Sequence, residues 1–540
     1  MDDLHPTRGR QVGRLTRTPW EGAGSSSTRA IRLASGIAGA LFALGCNPPS
    51  PPAQPPAPAT IVIGVPQSRQ LDPTHSVRAL ANTLAEERLI SSDADGRTRP
   101  RLLESWTESN DGLTWHLVLQ PRLRYQDGSP LAPSDIKACI DDARAVPPAQ
   151  SVSVCVPDIT GVSVAGEREL VVTLRRRCSY LLEDFDSTIT KPSATGSRPI
   201  GTGPFTAVER AGAAGRPPGS GATVNEIDLE ANRNYYLGAP QIARVVVRAY
   251  DTLRTAWAEM MRGRVDFLWE VGPDAAEFLR DQSSVQVRSF PSYYVYALML
   301  NSARAPFADP AVRRALNIGV DRAALVQEAL KGQGRPADGP VSPAYWAHDD
   351  SVPPLPYDPA AAVGLLAAAR RPRVTFTCLL PANFTIYERI ALHVQRQLRA
   401  INVEMRLEAL TPDAYNRRIV AGDFDALLMN MVGGPYQTIQ YRFWHSPLVS
   451  QRWNYWGYRD PAVDRALEAV RDAGSEAGTR AALKSLTAAF RENPPAVLLA
   501  WSVTVQAVSR RFDVPQAADG RDALHLLSRW QLRPPGGRQP

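Results

Sequence analysis

The side chains able to do chemistry are few and scattered. Seven histidines are spread over 540 residues with no i, i+4 pair, so a helix-borne zinc site of the H-E-x-x-H kind has no basis. His348 stands beside Asp349 and Asp350. That group could ligate a metal, but after "SPAYWA" it reads better as a solvated loop. "GTGPF" (Gly201–Phe205) looks like a phosphate cradle, lacks the G-x-G-x-x-G spacing, and reads as a structural turn. No G-x-S-x-G elbow and no G-x-x-x-x-G-K-[ST] loop occurs. These absences exclude the common nucleophile, phosphate-loop and zinc-hydrolase chemistries, and no catalytic residue, metal site or cofactor is expected. One stretch of another kind stands out: "MNMVGGPYQTIQYRFWH", Met429–His445, has two glycines, a proline and four aromatics without Asp, Glu or Cys. Aromatic faces beside amides suit the wall of a binding cleft. A Phe443/Trp444 pair suits a core equally well.

Five cysteines are present: Cys46, Cys139, Cys155, Cys178 and Cys378, none in a C-x-x-C pair. Zinc and thioredoxin chemistry therefore have no support. The last four could form up to two disulfides in an oxidising compartment. Cys139 and Cys155 are the nearest in sequence, but the connectivity stays open, and each could equally be a buried free thiol.

The chain is long enough for two or more cores, and 44% of its residues are apolar. The net charge of +7 is spread without blocks, and only Lys137, Lys191, Lys331 and Lys484 among the 61 basic residues are lysines. This is a mixed solvated surface with no nucleic-acid patch.

The beginning of the chain reads as an address. Six arginines precede residue 33, then "LASGIAGALFALGC" gives a short apolar run ending at Cys46. The run is too short to span a membrane, which takes about 20 residues. It reads as a signal peptide over 1–45, with Cys46 at a lipobox-like position for lipidation. A long n-region leaves the true start codon open. Residues 46–59 are proline-dense, which favours an extended, semi-rigid tether.

The elements that must position a site follow from periodicity. "TIVIGV" (Thr60–Val65), "GERELVVTLRR" (Gly166–Arg176), "ARVVVRAY" (Ala243–Tyr250) and "YYVYALMLN" (Tyr293–Asn301) read as strands. "SPLAPSDIKACIDDAR" contains a helix with Ser134 as its cap and Ile136, Cys139, Ile140 and Ala143 on one face. Asp309–Gly332 reads as two helices broken near Gly319, and "RVTFTCLL", "IYERIALHVQRQLRAI" and "VEMRLEAL" give a β-α-β rhythm. The fold class is α/β.

The segment "RLLESWTESNDGLTWHLVLQPRLRYQDGSPLAPSDIKACIDDA" (Arg101–Ala143) resembles the signature of family 5 extracellular solute-binding proteins, the dipeptide, oligopeptide and nickel receptors of ABC importers. Trp106, Asp111-Gly112, Asp127-Gly128, Pro130 and Asp135 fall in its register. "IGTGPF", "LEANRNYYLGAPQIARVVVR", "LMLNSARAPFADPAVRRALNIGVDR" and "NYWGYRDPAVDRAL" match further family motifs in order. The resemblance implies a bilobal periplasmic-binding-protein-like fold with an extra subdomain. Lobe I would take 60–290, lobe II 291–500, and 501–540 would return to lobe I and form the tail. Two strands crossing near Phe290–Tyr293 and Leu499–Val503 would make the hinge. Arg313 and Arg322 are expected to pair with nearby acids.

The resemblance also implies a monomeric receptor that holds a peptide or small-molecule ligand between its lobes. It would hand that ligand to ABC permease and ATPase subunits, be anchored to the membrane through lipid, and make or break no bond. A lipoprotein sensor or chaperone-like binder with the same fold is the alternative. In peptide-binding members the strand after "FDA" carries a W-x-x-D motif whose Asp meets the ligand's amino terminus. Here Met431 replaces the Trp and Gly434 the Asp, so backbone contacts from Asn430, Met431, Val432 and Gly433 carry over and the carboxylate does not. Tyr436, Gln437, Tyr441 and Trp444 then remain as ligand candidates, with Gln67, Ser68 and Arg69 from "PQSRQLDP" opposite them. That set favours an uncharged or differently charged solute.

Overall fold

The computed structural model describes residues 59–66, 76–147, 153–185, 188–194, 198–208, 226–382, 384–432, 437–448, 454–515 and 523–533. Cys46, Gln67, Ser68, Arg69, Gly433, Gly434 and Tyr436 lie outside the described residues.

One sheet joins strands from both lobes. Its order is Val403–Leu410, Val374–Pro381, Ala426–Val432, Val285–Leu300, Ala496–Ser509, Phe267–Leu268, Thr60–Pro66, Arg244–Tyr250, Glu226–Ala231, Phe205–Val208. The fold is bilobal, and the two long antiparallel strands Val285–Leu300 and Ala496–Ser509 belong to both lobes. Their ladder pairs Val285–Pro291 with Val503–Ser509, and Val295–Met299 with Ala496–Trp501, with a register break between Pro291 and Val295. The sequence reading began this first crossing strand at Tyr293. It starts at Val285 because "VQVRSF" continues the same alternation across the proline.

Most of the central strands are covered on both faces, so they read as apolar runs rather than alternations. In Ala426–Val432, Leu427 and Met431 enter one core while Ala426 and Leu428 enter another. A separate four-stranded antiparallel sheet, ordered Leu103–Glu108, Thr114–Leu119, Glu169–Leu174, Ile159–Val164, is covered on one face. Its buried residues Trp115, Leu117, Leu170 and Val172 form one apolar cluster with Tyr441, Trp444, Trp456 and Leu498. The extra subdomain therefore packs against the second lobe, through a core and not merely a surface contact.

Local chemistry explains the punctuation. Asp309 accepts from the Ala311 amide at 2.8 Å, with Pro310 opening the next helix. The helix Pro133–Ala145 starts two residues earlier than expected: its cap is Ala132, whose amide donates to the Asp135 carboxylate at 2.9 Å. "IGTGPF" is a turn pressed on a helix end. A Cβ at Gly201 would come within 2.2 Å of the Ala85 carbonyl oxygen, so the glycine is needed for close backbone approach and not for a phosphate.

The expected acid partners of Arg313 and Arg322 are replaced by backbone. Arg313 donates to the carbonyls of Pro494 and Phe307 and to Asn493. Arg322 donates to the carbonyls of Ala337, Leu498, Asn317 and Val320 and to Asn317 Oδ1. Helix termini leave carbonyls unpaired, and a planar fork of donors reaches several at once. Cys155 and Cys178 form a disulfide, while Cys139 and Cys378 are free.

Candidate ligand-binding site

The register of the sheet places a cleft. Strand Thr60–Pro66 runs parallel to Phe267–Leu268, and the Val271 amide just beyond it bonds to Val505. Its carboxyl end therefore points along the second crossing strand toward the register break. Strand Ala426–Val432 approaches from the other lobe, with Val432 opposite Tyr294. Two carboxyl ends of strands thus face each other across the break, and α/β sheets present ligand sites outside such ends. The segments that follow both strands hold the candidates Gln67, Ser68, Arg69, Gly433, Gly434 and Tyr436, all outside the described residues.

Of the described candidates, Asn430 and Gln437 keep buried polar atoms without a partner among the described residues; Asn430 stands at the break. It lies beside Tyr296 in the ladder, and its buried Oδ1 has no hydrogen-bond partner among the described residues. Tyr296 meets Tyr387 edge-on at 6.0 Å, and Tyr387 meets Phe384 at 5.8 Å. An aromatic shelf thus adjoins an unused acceptor. Sequence reading missed an unused donor on the opposite face of the sheet, where Trp501 joins Val295 and Met431 in one core while Asn430 follows Leu428 toward the other. Trp501, 3% exposed and opposite Val295 at the break, has an indole Nε1 without a partner among the described residues. The sign available beforehand was a lone tryptophan inside an apolar strand, since a buried indole N–H needs an acceptor.

Three candidates turn out to be packed into the protein. The stretch Gln437–Trp444 is a helix, which divides its residues between two surroundings. Trp444 is fully buried, edge-on to Phe490 at 5.5 Å and to Tyr458 at 6.2 Å, and its Nε1 donates to Gln440 Oε1 at 2.8 Å. We therefore correct the expectation that Trp444 touches ligand: its ring and its donor are both consumed by the core. Tyr441 stacks on His445 with centroids 4.2 Å apart, and its hydroxyl accepts from Arg471 at 3.0 Å. Burial outweighs the Glu468 carboxylate beside it and holds His445 below its ordinary pKa. Met431 is 2% exposed and its side chain belongs to the shared apolar cluster, so a contact from that residue would come from backbone.

Gln437 begins the helix and sits where the subdomain docks. Its amide donates to Glu183 Oε2 at 3.0 Å, while its buried side-chain Oε1 and Nε2 have no hydrogen-bond partner among the described residues. Next along the chain, Asp184 accepts from the amides of Cys155 at 2.6 Å and Val156 at 3.2 Å and pairs with Arg442 at 3.1 Å. Ser179 and Tyr180 bond to the carbonyls of Val470, Arg471 and Leu467. The disulfide at Cys155–Cys178 closes the base of this docking segment. The wall that looked free of carboxylates in its own stretch of sequence thus receives one from a residue 254 positions earlier.

The sequence profile of the bacterial extracellular solute-binding proteins, family 5 (middle), matches residues 97–448. The chain belongs to this family. The glutathione-binding protein GsiB of Salmonella typhimurium is 26% identical over 358 residues, 63% of this chain and 67% of that protein. Among solved structures, NikZ of Campylobacter jejuni with Ni(L-His) superposes with a TM-score of 0.74 at 21% identity, over 87% of this chain and 99% of the other. The oligopeptide-binding protein AppA of Bacillus subtilis with a nonapeptide gives 0.72 at 20% identity, over 88% and 100%. At these identities the structures speak for the fold alone. Like these family 5 proteins, the chain has two lobes joined by crossing strands.

Proposed function

We propose that this chain is the solute receptor of an ABC importer, capturing a peptide or related small solute between its lobes and presenting the closed form to a membrane permease. The observation that carries the reading is the pair of crossing strands with a register break, faced from both lobes by carboxyl strand ends. A ligand touching both lobes favours the closed arrangement by its differential affinity, and the break absorbs the backbone change. Asn430 Oδ1, beside the break and without a partner among the described residues, would accept from a ligand amide. Nothing in this binding cycle makes or breaks a covalent bond. Lipidation at Cys46 and the proline-dense tether would hold the receptor at the outer face of a membrane. The Cys155–Cys178 disulfide supports an oxidising compartment.

The test is a thermal-shift and calorimetric series on the full-length chain with glutathione, free di- and tripeptides, and nickel with histidine. A ligand at a hundred times its Kd should stabilise the chain by about 2.7 kcal/mol. The expected result is a rise in Tm with a peptide or glutathione. No rise with any of the three groups would overturn the peptide-type reading.

A further inference from the structure

We infer that the second lobe carries a small-anion site, outside the interlobe cleft, that takes a short-chain monocarboxylate. The site is a pocket of about 140 Å³ between the helices Pro310–Ile318, Arg322–Glu328 and Glu476–Glu492 and the start of the second crossing strand. Ala496 lies in its wall and pairs with Met299. That is five residues down the ladder from Tyr294, or roughly 17 Å at the rise of a strand.

Charge is what remains unresolved there. Arg314, Arg322 and Arg491 all line the pocket, against the single carboxylate of Asp338. Arg322 is 5% exposed, and every acceptor it uses is a carbonyl or amide oxygen. Among the described residues no carboxylate forms an ion pair with it. Burial lowers its pKa to about 10, with Asp338 opposing that shift and Arg491 adding to it, so two of the cations repel one another. The Nε atoms of Arg314 and Arg491 are buried and have no acceptor among the described residues. Among the described residues Arg314 reaches only the exposed Glu492, at 3.5 Å, and Arg491 a Pro353 carbonyl. Asp338 already accepts from the Leu355 amide. Buried charge and unpaired donors are costly unless an acceptor arrives, and a carboxylate is the acceptor that matches guanidinium geometry.

Apart from Asn317, the remaining side chains of the wall are apolar, among them Ile318, Leu355, Leu365 and Phe490, which suits a hydrocarbon tail. A cavity of about 150 Å³ holds benzene, which has six heavy atoms. A C4 carboxylate has the same number.

The probe is sodium butyrate, compared with n-butanol and n-butylamine by saturation-transfer NMR and calorimetry on the full-length chain. Butyrate should bind and the other two should bind at least tenfold more weakly. Arg491→Met should weaken butyrate at least tenfold. Leu355→Trp, which fills the pocket while leaving the guanidinium groups in place, should abolish binding with an unchanged circular dichroism spectrum. No butyrate binding, equal binding of butanol, or butyrate binding that survives both substitutions would overturn the assignment. The result does not depend on what the interlobe cleft holds, because neither substitution touches the crossing strands or the wall strand.

Discussion

The two ends of the helix Gln437–Trp444 differ in composition, amides at one and aromatics at the other, and are opposite in use. At the carboxyl end, Trp444, Trp456, Tyr458 and Phe490 pack edge to face, and every polar edge of Trp444 is matched inside the cluster. At the amino end, the Gln437 amide meets Glu183 from a distant part of the chain, and its side-chain Oε1 and Nε2 stay without a partner among the described residues. Aromatic density by itself is therefore no sign of a ligand wall, since here it marks the end of the helix that lies in the core. What distinguishes them is whether polar atoms from separate segments converge, and whether any are left unused.

Substitutions can break that contrast. Trp444→Ala should cost about 3–5 kcal/mol of stability in urea unfolding, because a large fully buried ring leaves a cavity. A loss below about 1 kcal/mol would return Trp444 to the cleft wall. Asp184→Asn should cost roughly 2–4 kcal/mol by the same measurement, since it leaves the Arg442 cation buried without its partner. A neutral result would mean that the docked segment does not depend on this pair. Glu183→Gln should change stability least, by no more than about 1 kcal/mol, the worth of a half-exposed carboxylate at a helix start. It should instead weaken ligands with a free ammonium group by about fivefold, the scale of a partly exposed ion pair, and leave their N-acetylated forms unchanged. Equal loss for both forms would reduce Glu183 to a helix cap.

Much of the fold was readable because it rests on short-range signals. The periodicity of "VEMRLEAL", the Asp-Pro start of the helix after Asp309 and the break at Gly319 each act within a few residues. The ordered motifs from Arg101 onward then gave the bilobal class. The site was less legible because its groups are brought together across the chain. Glu183 reaches Gln437 through the docking of a whole subdomain, and no local pattern announces that. Arg313 and Arg322 misled for a related reason: charge complementarity suggests acids, whereas helix ends and a strand edge offered carbonyls. Trp444 was ambiguous because the same residue type serves core and cleft, and only the helical geometry of Gln437–Trp444 separates them.

The place of Ala496–Ser509 in the sheet has a consequence in time. This strand lies between Val285–Leu300 and Phe267–Leu268, so the first lobe's sheet is joined to the second lobe's only through it. A polypeptide is made from its amino end, and contacts between segments far apart in sequence form late. The strands before residue 285 must therefore wait, with an unfilled lane at their edge, until more than 200 later residues have been synthesised. An early stop anywhere in the second lobe would leave that lane open, and an open lane is a surface on which strands of other molecules can pair.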